Sequence, residues 1–171
     1  MTNGSLYPFG RESYSKKAVI FVTAVTALPA LIGFWGTFDV GRGFPASIYL
    51  AVCLFWYVVV QPKLICTHCA YYGKVCARGL GAVAQLLYRS GTGHEVWGAR
   101  LGKVFWPWWY AGLPAAAFAY LLLFRFSWLV VVFAAGFVVT SALALLVNRN
   151  QCCLNCLMRT VCRRSPFRER A

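Results

Sequence analysis

Four long apolar stretches divide this chain, and none of them contains a charged residue. They cover residues 18–35, 45–60, 105–124 and 127–147. At about 1.5 Å of helical rise per residue, each crosses most or all of a hydrocarbon core of roughly 30 Å. Membrane-spanning strands would alternate apolar and polar residues, which these stretches do not do. The pattern therefore predicts an all-α, polytopic membrane protein with four transmembrane helices.

The composition agrees with this pattern. Of the 171 residues, 60% are hydrophobic and 12% are charged, whereas a typical soluble domain is about 45–50% apolar and about 25% charged. These values exclude a disordered chain, a coiled coil and an ordinary soluble enzyme. They predict that the chain lies in a lipid bilayer.

The basic residues are distributed unevenly between the two sides of the predicted membrane. The chain has 17 Lys and Arg against 4 Asp and Glu, a formal net charge of +13. All the basic residues except Arg42 and Arg125 lie in the two terminal segments or between the second and third helices. By the positive-inside rule, both termini and this middle connection are cytoplasmic. The charge thus indicates orientation, and we expect no nucleic-acid partner.

Seven of the eight cysteines lie on the same predicted cytoplasmic side. The exception is Cys53, which falls inside the second helix. The others follow the second or the fourth helix: Cys66, Cys69, Cys76, Cys152, Cys153, Cys156 and Cys162. A reducing compartment disfavours disulfides, so this grouping favours metal ligation.

The spacing of the cysteines indicates an internal repeat. Cys66 and Cys69 lie 87 positions before Cys153 and Cys156, and the last cysteines of the two groups, Cys76 and Cys162, lie 86 positions apart. Both of these last cysteines also lie in a V-C-x-R pattern. We predict two tandem helical hairpins with both termini in the cytoplasm. They form a parallel repeat whose pseudo-twofold axis follows the membrane normal.

The repeat divides the chain into five predicted segments. A cytoplasmic tail (1–17) is followed by the first hairpin with its cysteine group (18–76) and a cytoplasmic connection (77–104). The second hairpin with its cysteines (105–162) and a basic tail (163–171) complete the chain.

The middle connection contains apolar residues at helical spacing between positions 77 and 89, which predicts a short amphipathic helix on the membrane surface. Arg78 and Arg89 are expected near anionic lipid head groups, although the same apolar face also suits packing on a partner subunit. The aromatic residues Trp106, Trp108 and Trp109 are expected to form an interfacial belt.

A C-x2-C pair lets one short turn present two thiolates to a tetrahedral ion. One shared site would use Cys66, Cys69, Cys153 and Cys156. Alternatively, each half holds its own ion. The first half would use Cys66, Cys69 and Cys76 with His68 or His94, and the second would use Cys152 or Cys153 with Cys156, Cys162 and one further ligand. Zinc and an iron–sulfur cluster both fit such donors, and the wide spacing favours zinc. Cys152 and Cys153 are also candidates for palmitoylation.

Catalytic groups are scarce in this sequence. The four apolar stretches contain no Asp, Glu, His, Lys or Arg, which disfavours ion-coupled transport. Paired carboxylates or a Ser/His/Asp triad cannot be assembled convincingly, and we name no catalytic residue. We expect an accessory or structural subunit of a membrane complex, with its metal site on the face that docks other subunits. The alternatives are a redox protein passing electrons through iron–sulfur or dithiol groups to a quinone, and a soft-metal transporter with Cys53 as relay.

Overall fold

In a computed structural model, the chain forms a helical bundle in which four helices are long and apolar enough to cross a membrane. The structure describes residues 8–41, 43–160 and 162, and within them there is no β-strand. The four spans are α1 (Lys16–Gly41), α2 (Phe44–His68), α4 (Glu95–Phe124) and α5 (Trp128–Cys153). A short helix, α3 (Leu80–Leu87), lies between α2 and α4. Arg42 and the predicted basic tail (163–171) lie outside the described residues.

The four predicted spans are confirmed, and each helix extends beyond its apolar stretch. α2 continues to His68 and α4 begins at Glu95, so both include polar and basic residues near the ends that face each other along the chain. The two ends approach closely at Gly98, where an added Cβ would lie 2.7 Å from Ile65 Cγ1. A residue without a side chain thus lets α4 start directly against the end of α2.

Two helices widen just before a proline. Trp56–Val60 in α2 and Phe105–Gly112 in α4 form π-helical turns, ahead of Pro62 and Pro114. Proline lacks a donor and its ring clashes with the carbonyl four residues earlier, and a wider turn accommodates both effects. The two widened segments are in contact: the rings of their first residues, Trp56 and Phe105, stack with centroids 4.3 Å apart.

α1 is the central helix and packs against α2, α4 and α5. Its contact with α4 is close at two glycines. An added Cβ at Gly33 would lie 2.7 Å from Pro114 Cγ, and one at Gly36 would lie 2.8 Å from Phe118 Cζ. Membrane helices associate through such close van der Waals packing, because lipid tails provide no hydrophobic driving force between them.

Candidate metal centre

The two cysteine groups meet at one end of the bundle. The cluster there has Tyr14 and Tyr71 as its buried aromatic side chains. It contains two thiols from each group, Cys69, Cys76, Cys152 and Cys156. We refer to these four residues as the thiol cluster.

The membership of the thiol cluster differs from the shared site that spacing alone suggested. Cys66 is buried where α2 ends, and Cys153 is half-buried in the last turn of α5. Neither packs against the two tyrosines, although Cys66 interacts electrostatically with Cys69, and Cys153 with Cys152 and Cys156. Cys162 is also outside it, although its sulfur interacts electrostatically with that of Cys156.

The two C-x2-C turns have matching backbone hydrogen bonds. Cys69 N–H donates to the Cys66 carbonyl at 3.2 Å, and Cys156 N–H donates to the Cys153 carbonyl at 3.4 Å. In each turn the carbonyl of the second cysteine accepts from the residue three positions later, at 2.9 Å in the first turn and 3.0 Å in the second. The two C-x2-C turns therefore share these two hydrogen bonds as well as their spacing.

The sulfurs of Cys69 and Cys156 have similar surroundings. Burial raises the pKa of Cys69 to about 12 and that of Cys156 to about 11. A backbone N–H two residues later opposes this rise in each turn, from Tyr71 to Cys69 and from Met158 to Cys156 at 3.4 Å. Such donors stabilise a thiolate. At neutral pH both groups are nevertheless thiols unless a cation favours the charged form.

The segment before α1 connects the two cysteine groups. Arg11 N–H donates to the Asn155 carbonyl at 2.9 Å, and Arg11 forms an isolated parallel β-bridge with Cys156. Tyr14 N–H donates to the Val75 carbonyl at 3.0 Å, which belongs to the first cysteine group. The predicted N-terminal tail is thus part of the candidate site.

Sequence reasoning did not identify the two tyrosines of this site. The Tyr71 hydroxyl donates to the Arg11 carbonyl and accepts from Leu157 N–H at 3.2 Å. The Tyr14 hydroxyl lies 3.2 Å from the Asn155 carbonyl. Both bind backbone groups far along the chain, so no local pattern indicates their role. The one signal for Tyr71 is its position two residues after a cysteine.

The predicted histidine ligands lie near the start of α4. A ring nitrogen of His68, Nε2, is 2.6 Å from the Gly93 carbonyl, and His94 is exposed immediately before the helix. Among the residues that the structure describes, no three His, Cys, Asp or Glu side chains are arranged to hold a metal ion. The four cysteines of the thiol cluster thus pack around the same tyrosines without forming a metal-binding arrangement.

Arg78 lies at the end of the bundle rather than on the amphipathic helix, which begins after it at Leu80. Its Nε and Nη2 donate to Asn148 Oδ1 at 3.1 Å and 2.6 Å. Its guanidinium also lies 5.5 Å from the centroid of the Trp106 ring. Arg89, the other predicted lipid contact, is exposed.

The three tryptophans predicted as an interfacial belt have different surroundings. Trp106 is half-buried and its ring lies 4.4 Å from that of Tyr110. Trp109 is half-buried against the core of α2 and α4. Trp108 is 75% exposed, so it is the one that points away from the bundle.

Comparisons with protein families, with curated proteins and with solved structures give no match to this chain.

Proposed function

We propose that this chain is a membrane protein whose two halves are tied together at the cysteine-bearing end by a thiolate-bound zinc ion. The observation that carries the proposal is the meeting of two C-x2-C turns with matching hydrogen bonds, one from each half. The thiol cluster would supply four thiolates, which is the donor set of many structural zinc sites. The matching turns also support the proposal of duplicated hairpins.

The electrostatics of the thiol cluster support a cation. Cys69 lies close enough to interact with Cys76 and Cys156, and Cys76 interacts with Cys152. Several thiolates in one partly buried site repel one another, and a dication compensates their charge. Because the described side chains form no metal-binding arrangement, binding requires the donors of the thiol cluster to move closer together. We therefore expect zinc binding to be coupled to ordering of this end.

The surroundings of the cysteines give less support to the alternatives. Thiol–disulfide exchange requires a thiolate, which the raised pKa of Cys69 and Cys156 disfavours. Cys53, the suggested relay for metal transport, is buried in the core with Tyr49 and Trp56. An iron–sulfur cluster would use the same donors as zinc, and colour distinguishes the two.

We propose an accessory or structural role in a membrane complex, with the cysteine-bearing end as the part that docks other subunits. The described carboxylates support a role without hydrolytic chemistry. Glu12 precedes α1, Asp39 lies near the opposite end of α1, and Glu95 begins α4. No two of them are placed to share a general acid–base task.

Metal analysis of the purified protein tests the zinc site. We expect about one zinc per chain in the wild type and loss of most of it in Cys76→Ser, because four thiolates complete a tetrahedral site. Cys53→Ser is the matched control, since it removes a buried thiol away from the cluster and should keep the metal. Cobalt substitution should give the intense thiolate-to-metal absorption of a sulfur-ligated site only in the variants that bind zinc.

Two results would contradict this assignment. Equal zinc content in Cys76→Ser and the wild type would exclude Cys76 as a ligand. A brown, iron-containing sample after anaerobic purification would instead identify an iron–sulfur cluster.

We also propose that the cysteine-bearing end faces the cytoplasm, because 15 of the 17 basic residues lie on its side of the spans: before α1 or at its start, at the end of α5 or beyond, or in and around the connection of α2 and α4. A cysteine introduced at the exposed Asp39 should react with an impermeant maleimide in intact cells. One introduced at the exposed Glu12 should react only after lysis. The reverse pattern would invert the topology.

A further inference from the structure

A cavity of about 250 Å³ lies between α1 and α2. It follows α1 from Thr23 to Leu31, a length of about 12 Å at 1.5 Å per residue. Its walls are mainly apolar, and four of the lining residues are also exposed on the outside of the bundle: Thr23, Ala27, Leu31 and Leu54. The cavity is therefore accessible from the surface that would meet lipid tails.

Arg78 is the charged residue of the cavity lining. The contacts with Asn148 and Trp106 hold its guanidinium in place. Among the described residues no carboxylate forms an ion pair with Arg78, and its hydrogen bonds go to Asn148 and Cys152. A guanidinium has five N–H donors, so donors are left for an anion. The cavity is thus an apolar channel whose lining includes one residue that carries a positive charge.

We propose that this cavity binds an anionic amphiphile, with one acyl chain between α1 and α2 and the anionic head group on Arg78. The elongated apolar lining suits a hydrocarbon chain, and the guanidinium suits the oxygens of a carboxylate or phosphate. The volume is slightly below the range of about 300–1,000 Å³ typical of small-molecule sites, which favours one chain over a bulkier ligand. The head group is that of a fatty acid or of an acidic phospholipid. The proposal needs no bound zinc, although Arg78 also contacts Cys152 of the thiol cluster.

Photolabelling in phosphatidylcholine nanodiscs tests this site. Three diazirine probes are compared: palmitic acid, phosphatidylglycerol and uncharged palmityl alcohol. At least one anionic probe should label the peptides that contain Thr23–Leu31 and Leu50–Leu54, about tenfold more than the alcohol does, because a charged hydrogen bond contributes on that order. Labelling by palmitic acid alone identifies a free acid as ligand, and labelling by phosphatidylglycerol alone identifies a phospholipid.

Variants separate the head group from the channel. Arg78→Gln should reduce labelling by the anionic probe about tenfold, whereas Arg89→Gln, which removes an exposed charge of the same connection, should not reduce it. Ala27→Trp fills the cavity from its exposed side, keeps Arg78, and should abolish labelling even if Arg78→Gln misfolds. Equal labelling by the alcohol, or wild-type labelling of Ala27→Trp, would overturn the proposal.

Discussion

Removal of zinc with a chelator is expected to lower the unfolding midpoint of the wild-type protein to that of Cys76→Ser. An ion that binds only the folded state stabilises it by about 4 kcal/mol when its free concentration is 1,000 times the Kd. The thiol cluster joins the segment before α1 to both cysteine groups, so the whole end should loosen together. The measurement is thermal unfolding in detergent or nanodiscs, with and without chelator.

The variants are compared by how far the chelator shifts the unfolding midpoint of each one, because a substitution can change the midpoint for other reasons. Cys53→Ser alters a buried core residue, yet it should still lose stability when chelator is added. Cys76→Ser should show no further loss, and added zinc should restore only the wild type and Cys53→Ser. An unchanged wild-type midpoint in the presence of chelator would contradict a structural metal.

Gly33→Ala is expected to destabilise the bundle by about 1–3 kcal/mol, the usual cost of overpacking. The new Cβ would lie 2.7 Å from Pro114 Cγ and 3.1 Å from the Tyr49 hydroxyl. A proline ring cannot rotate away, so α1 and α4 must separate. Unfolding by titration with a denaturing detergent measures the change.

Gly136→Ala provides a matched control in α5. The nearest atom to its added Cβ is Ile32 Cδ1 at 3.9 Å, an ordinary contact. This variant should be neutral or more stable by up to about 1 kcal/mol, because alanine favours a helix over glycine. Similar midpoints for both variants would show that the close approach of α1 and α4 contributes little to stability.

Sequence patterns predicted that the four helices exist, but they did not predict where each helix begins and ends. The absence of charge marked each span, but α2 continues past Lys63 and α4 begins at Glu95. Helical hydrogen bonds continue beyond the apolar core, and Gly98 allows the two extended ends to pack. Hydropathy alone cannot report this packing, because it depends on the distance between two helices.

The sequence predicted that cysteines form the candidate site, but it did not predict which cysteines pack against one another. Spacing identified two equivalent C-x2-C turns, and the turns do have matching hydrogen bonds. It did not indicate that Cys76 and Cys152 lie in the cluster while Cys66 and Cys153 lie outside it. That selection depends on which residues of the two cysteine groups pack around Tyr14 and Tyr71, which are themselves far apart in the chain.

The sequence by itself determined the four apolar helices, the uneven charge and the repeated C-x2-C spacing, because each depends on residues close together along the chain. Only the tertiary structure decided that α1 is central, that Tyr14 and Tyr71 connect the cysteine groups, and that Arg78 lines a cavity. These features depend on contacts between residues far apart in the chain, such as Arg78 with Asn148. The way the helices pack determines which distant side chains meet.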